Sequence, residues 1–125
     1  MSADPRYHPE VARRVRELPN ASTGTLAAAN CIGAAGHEAR GVRVELSLRV
    51  SDGRVRAAAF RAYGCPHVIA ACSWLAERVV GLNRDELAAW DWREVQQTLD
   101  VPPQKFGRLL TIQDAARDAA RNWPV

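Results

Sequence analysis

The stretch VRVELSLRVSDGRVRAAAFRAYGCPHVIAACSWLAERVVG, residues 42–81, decides the fold. Its first residues alternate strictly, with Val42, Val44, Leu46, Leu48 and Val50 on one face and Arg43, Glu45, Ser47 and Arg49 on the other. A period of two marks a half-buried strand, because successive side chains leave a strand on opposite faces. Ser51, Asp52 and Gly53 supply a turn, and residues 54–63 return as the antiparallel partner. At Tyr63-Gly64-Cys65-Pro66-His67 the period changes. Val68, Ala71, Cys72, Leu75 and Val79 then recur at the spacing of one helix face, and Gly81 is placed to end that helix.

Upstream, PEVARRVREL (residues 9–18) reads as a short amphipathic helix with Val11, Val15 and Leu18 on one side. TLAAANCI (residues 25–32) reads as a further strand, and GAAGHEARG (residues 33–41) as a flexible loop. Downstream, Asn83 with Glu86 and Asp91 with Glu94 have the spacing of capping boxes, which predicts helices near 84–90 and 92–99. Val101-Pro102-Pro103 interrupts them as an exposed loop, since proline suits neither a helix interior nor the residue before it. Residues 104–122 resume the helix, with Phe106, Leu109, Ile112, Ala116, Ala119 and Trp123 on its buried side. Strands followed by helices give an α+β fold, a small antiparallel sheet of about three strands backed by helices. No repeat or low-complexity linker divides the chain, so residues 1–125 read as one domain.

A length of 125 residues suits one modest core, and 47% apolar with 25% charged residues is ordinary for a globular protein. The first residues are too charged for a signal peptide, and no apolar run approaches the roughly 20 residues that span a bilayer. The expectation is a cytoplasmic protein with no membrane partner. Three cysteines without an export signal read as free thiols. The net charge is +3, and Lys105 is the one lysine among 17 cationic side chains. Arg13, Arg14 and Arg16 on a helix, and Arg43, Arg49, Arg54, Arg56 and Arg61 on a hairpin, could meet an anionic partner. No aromatic interleaving or nucleic-acid motif accompanies them, so they read as solvated faces and nucleic acid is not expected. No Ser-His-Asp set, carboxylate pair or phosphate loop marks an enzyme.

Cys65 stands just before a proline that favours the first helical position. Backbone N–H groups at a helix start favour a thiolate, the form that attacks sulfur or binds metal. Two readings stay open: a reactive or metal-binding thiol with His67 as second ligand or proton acceptor, or a small residue that merely caps the helix. Cys72 lies about 10.5 Å further along such a helix, whereas two thiolates on one zinc ion stand roughly 3.8 Å apart. It belongs to the apolar stripe.

The run AAAFRAYGCPHVIAACSWLAERVVG, residues 57–81, resembles the segment around the second cysteine of the IscU/NifU N-terminal family of iron–sulfur cluster scaffolds. VPPQK (Val101, Pro102, Pro103, Gln104, Lys105) is similar to the motif by which such scaffolds engage a DnaK-type chaperone, with Gln104 in place of a valine. The resemblance implies a three-stranded antiparallel sheet backed by helices, with a cysteine desulfurase and a chaperone as partners; a homo-oligomer is a separate option. It also implies a cluster site of three cysteines and one aspartate. Cys65 matches the second cysteine. An ungapped count puts Ala39 at the first cysteine and Gly41 at the aspartate, while Arg108 takes the place of the third cysteine. Arginine stays protonated and ligates no cation. Cys31 serves only if the glycine-rich segment folds back, and His37, Glu38 and His67 are chemically able to fill gaps for iron or zinc. The expectation is therefore an assembly scaffold that binds an iron–sulfur cluster, iron or zinc through Cys65, or accepts sulfur there. The alternative is a family paralogue that keeps the fold as an interaction module without a cluster.

Overall fold

The computed structural model describes residues 8–17 and 26–124. Three strands, β1 (Cys31–His37), β2 (Val42–Ser51) and β3 (Arg54–Tyr63), form one antiparallel sheet in the order β1-β2-β3. The alternation of residues 42–50 is borne out: Val42, Val44, Leu46, Leu48 and Val50 are buried, while Arg43 and Arg49 are exposed. Opposite them β3 pairs Arg43 with Tyr63 and Leu46 with Phe60, with one register shift at Arg49/Val50. Ser47 departs from the expected solvent face. It is buried because the Leu26 N–H donates to its hydroxyl at 3.0 Å, while that hydroxyl donates to the Ala59 carbonyl.

The first strand corrects the sequence reading. It occupies residues 31–37, most of the segment read as a loop, and Thr25 lies outside the described residues. The glycines there answer a packing demand. A Cβ at Gly33 would overlap the Ala115 carbonyl oxygen and the Ala119 nitrogen of α5 (Phe106–Arg121) and stand 2.7 Å from the Ala119 Cα. α5 therefore lies directly on the β1 backbone. Its side chains also occupy the outer edge of β1. Asp118 Oδ2 accepts from the Ala34 N–H at 2.9 Å, and Asn122 Nδ2 donates to the Ile32 carbonyl at 2.8 Å. Two backbone groups of this edge strand are thereby satisfied by side chains rather than by a further strand.

The hydrogen bond from Ala34, followed by that from Arg121, holds the Asp118 carboxyl below its ordinary value. Its stabilisation is then present above the unfolded value near 3.8 and is lost as pH falls through the lower folded value. Asp118→Asn should cost about 1 kcal/mol at neutral pH and flatten the acid limb of stability against pH. Urea melts of both proteins at pH 7 and pH 3 check this, and a parallel acid limb would refute it.

α2 (Pro66–Arg78) and α5 pack on the buried face of the sheet, while α3 (Arg84–Ala88) packs on α5 and α4 (Arg93–Leu99) packs on α2 and α5. The α2 stripe of Val68, Ala71, Cys72 and Leu75 is buried as expected. Asn83 and Glu86 form the reciprocal cap expected of them. Asp91 and Glu94 do not. Asp91 accepts from the Arg93 N–H at 2.8 Å, Trp92 takes the cap position, and Glu94 turns to Arg78 at 2.7 Å. The short-range bond to Arg93 satisfies the Asp91 carboxylate before the third residue is reached. α1 (Pro9–Glu17) packs on α2. Here the expected basic face is corrected as well, since Arg14 is buried and bridges Glu10, Ser73 and Glu77. Among the described residues, no helix is long and apolar enough to cross a membrane.

Candidate functional site

Strand register sets Gly36, Arg43 and Tyr63 side by side at one end of the sheet. Two connections leave from that end. One is the turn between β1 and β2, a short 3-10 helix at Glu38–Arg40 closed by Gly41 with φ +86°. The other is the Gly64-Cys65-Pro66 entry into α2. The start of α5 reaches the same end: a Cβ at Gly41 would stand 3.5 Å from the Arg108 guanidinium. Lys105 and Arg108 both act electrostatically on His67. Residues 37–41, 64–67 and 105–108 therefore converge.

Cys65 owes its position to its neighbours. At Gly64 any Cβ would meet the Val68 side chain at 2.9 Å, so only glycine lets β3 turn this tightly into α2. Pro66 fixes the first helical residue. Cys65 takes the cap position with extended backbone, φ −76° and ψ 172°, yet its side chain makes no capping hydrogen bond. The thiol is half-buried and not committed to holding the helix. His67 faces inward, 5% exposed. Burial first, then the charges of Lys105 and Arg108, holds its pKa below the usual histidine value.

Other residues named from the sequence fall elsewhere. Cys31 is a correction. It pairs with Leu48, five positions along β2 from Arg43, about 17 Å of strand from the Cys65 end. It is buried, its thiol donates to the Ala119 carbonyl at 3.0 Å, and burial together with Asp118 raises its pKa. Cys72 is wholly buried and its pKa is pushed far up, as a core thiol. His37 and Glu38 do lie at the right end and are exposed. His37 Nδ1 already accepts from the Ala39 N–H at 3.0 Å. Glu38 lines a cleft of about 440 Å³ on the outer sheet face with Arg43, Glu45, Arg61, Ala62 and Tyr63. Among the described residues, no three of His, Cys, Asp and Glu are grouped to hold a metal ion.

The 101–105 segment is also corrected. Val101 is 2% exposed and belongs to the core, because the chain between α4 and α5 must close over Leu99 and Leu109. Pro103–Lys105 forms a 3-10 turn, leaving Pro103 and Gln104 as the exposed part. Lys105 and Tyr63 were missed as members of this end of the molecule. Tyr63 follows from register alone, since it sits opposite Arg43; Lys105 follows only from tertiary packing.

Residues 6–125 match the family described as NifU-like N terminal domain. Iron sulfur cluster assembly protein 2, mitochondrial, of Saccharomyces cerevisiae is 28% identical over 120 residues, covering 94% of this chain and 77% of that protein. Iron-sulfur cluster assembly scaffold protein IscU of Escherichia coli is 32% identical over 92 residues, covering 73% of this chain and 72% of that one. In three dimensions the chain is similar to the N-terminal part of a NifU-like protein from Brucella abortus, with a TM-score of 0.68 over 91% of each chain at 20% identity.

Proposed function

The chain belongs to the NifU-like N-terminal domain family, whose members are scaffolds rather than enzymes, and on that premise we propose that it serves iron–sulfur cluster assembly by accepting sulfur at Cys65. One observation carries this reading. Cys65 stands where three segments converge, and the other positions there that the family resemblance assigns to ligands are Ala39, Gly41 and Arg108. Lys105 and Arg108 repel an iron ion and attract anionic sulfur.

The step is a thiol exchange. The Cys65 thiolate attacks the outer sulfur of a persulfide on a cysteine desulfurase. A new S–S bond forms on Cys65, the donor's S–S bond breaks, and the donor leaves as thiolate. No outside oxidant or reductant is needed. Iron, zinc or a complete cluster is cargo that requires ligands beyond this convergent set, from a second copy or a docked partner.

Anaerobic reconstitution with ferrous iron and sulfide tests the reading. Wild type should bind little iron per chain, Arg108→Cys should bind several-fold more, and Cys65→Ser should bind least. A full cluster on monomeric wild type, unchanged in Cys65→Ser, would overturn it.

A DnaK-type chaperone is the second proposed partner, at residues 101–105. Burial of Val101 means that the motif offers only its Pro103–Gln104 side until the segment opens. A peptide of residues 99–107 should bind such a chaperone more tightly than the folded chain, and equal affinities in titration would refute the opening step. The cytoplasm is the proposed compartment, testable by fractionation of cells that express the chain.

A further inference from the structure

The sequence contains three cysteines, and all of them are described and free. A persulfide on Cys65 has two chemical exits. A second thiolate can attack its inner sulfur, which expels the outer sulfur as sulfide and leaves a disulfide. A thiolate can instead attack the outer sulfur, carrying it off as a new persulfide and releasing Cys65 as thiolate. Within one chain the first exit needs a thiol able to form a disulfide with Cys65, and a disulfide joins Cα atoms no more than about 7 Å apart. Neither of the other cysteines meets that requirement. Cys72 is seven residues further along α2, about 10.5 Å at ~1.5 Å per residue. It faces the core and is wholly buried, and burial keeps its thiol protonated by raising the pKa. Cys31 pairs with Leu48, about 17 Å of strand from the Cys65 end, and its thiol is turned to the Ala119 carbonyl of α5. The positions where the family resemblance places companion thiols hold Ala39 and Arg108.

From this spacing we propose that a persulfide on Cys65 has no thiol in its own chain to resolve it, and that the protein passes its sulfur on unreduced, to the thiolate of a separate acceptor. In that step the acceptor thiolate attacks the outer sulfur. A new S–S bond forms on the acceptor, the S–S bond at Cys65 breaks, and Cys65 leaves as thiolate. The transferred sulfur keeps its oxidation state, so no reductant is consumed. Access favours the same atom. Cys65 Sγ is half-buried between Gly64 and Pro66, and the added sulfur extends about 2 Å beyond it. The reaction that consumes the product is therefore a second sulfur transfer, and reduction to sulfide belongs to a later thiol on the acceptor side. The inference rests on the sulfur-accepting reading and adds to it the form in which sulfur leaves.

The test charges Cys65 without a desulfurase. Under anaerobic conditions Cys65 of the full chain is converted to its mixed disulfide with thionitrobenzoate. Radiolabelled sulfide then displaces the thionitrobenzoate, and excess reagent is removed. The dilute protein is incubated alone or with glutathione, and alkylation traps the products for mass mapping. Alone, wild type should lose less than about a tenth of its label as sulfide in the time that glutathione takes to remove most of it. With glutathione, label should appear first as glutathione persulfide while Cys65 returns as a free thiol. Cys31→Ala/Cys72→Ala should hold its label as long as wild type. Release of sulfide by wild type alone, with Cys65 recovered in a disulfide to Cys31 or Cys72, overturns the proposal, and that readout needs no variant to fold. Glutathione left on Cys65 with sulfide as the first product overturns it too, as does a double variant that holds label more than about threefold longer. A desulfurase that fails to charge Cys65 would strike the sulfur-accepting reading and leave this chemical result standing.

Discussion

Gly33→Ala is expected to destabilise the chain by about 3 kcal/mol, a fall of roughly 12 °C in melting temperature for a domain of this size. The added methyl carbon would run into the Ala115 carbonyl oxygen and the Ala119 nitrogen, which are backbone atoms of α5 and cannot rotate aside. Relief requires α5 to move off β1. That movement would stretch the bonds from Asp118 to Ala34 and from Asn122 to Ile32, and would open the packing of Leu109 and Ile112. Gly107→Ala is the matched control. A Cβ there meets nothing within 4 Å, and the residue is an exposed member of α5. Helix propensity then stabilises the variant by about 0.5–1 kcal/mol. Thermal melts of the two variants should move in opposite directions. Equal shifts would mean that the contact between α5 and β1 is looser than described.

The second large effect is the separation of the three thiols by reactivity. Cys65 should alkylate at least about a hundredfold faster than Cys72, because Cys72 is reached only when the core opens and opening costs several kcal/mol. Cys31 should also lag, being buried with its thiol bonded to the Ala119 carbonyl. Burial further keeps Cys31 and Cys72 protonated by raising both pKa values, so reaction is slowed by chemistry as well as access. Timed alkylation with peptide mass mapping reads all three at once. Reaction at Cys72 first would contradict the packing of α2 on the sheet.

Much of this architecture was legible because it is local. The alternation at residues 42–50, the Ser-Asp-Gly turn, the apolar stripe of α2 and the Asn83–Glu86 cap each follow from side chains a few positions apart. β1 was misplaced for the opposite reason. Gly33 is small because of α5, more than 80 residues away in sequence, Gly36 because of the Val42 carbonyl and a φ of +88°, and glycine carries no alternation to read. Arg14 misled likewise, since its burial depends on Ser73 and Glu77 of another helix. Within the site, Cys65 announced itself by the Gly-Cys-Pro junction. The meeting of Gly41 with Arg108 was reachable from family resemblance, but its closeness came only with the fold. Cys31 failed as a site residue because strand register places it near Leu48, a distance no count of intervening residues reveals.

Sulfur transfer in solution tests the central claim most directly. A cysteine desulfurase charged with radiolabelled cysteine is mixed anaerobically with wild type or Cys65→Ser, and the chains are separated without reductant. The account predicts label on wild type, released by a thiol reductant and mapped to the Cys65 peptide, with none on Cys65→Ser. Label of equal amount on Cys65→Ser, or none on wild type while the desulfurase is fully charged, would contradict it.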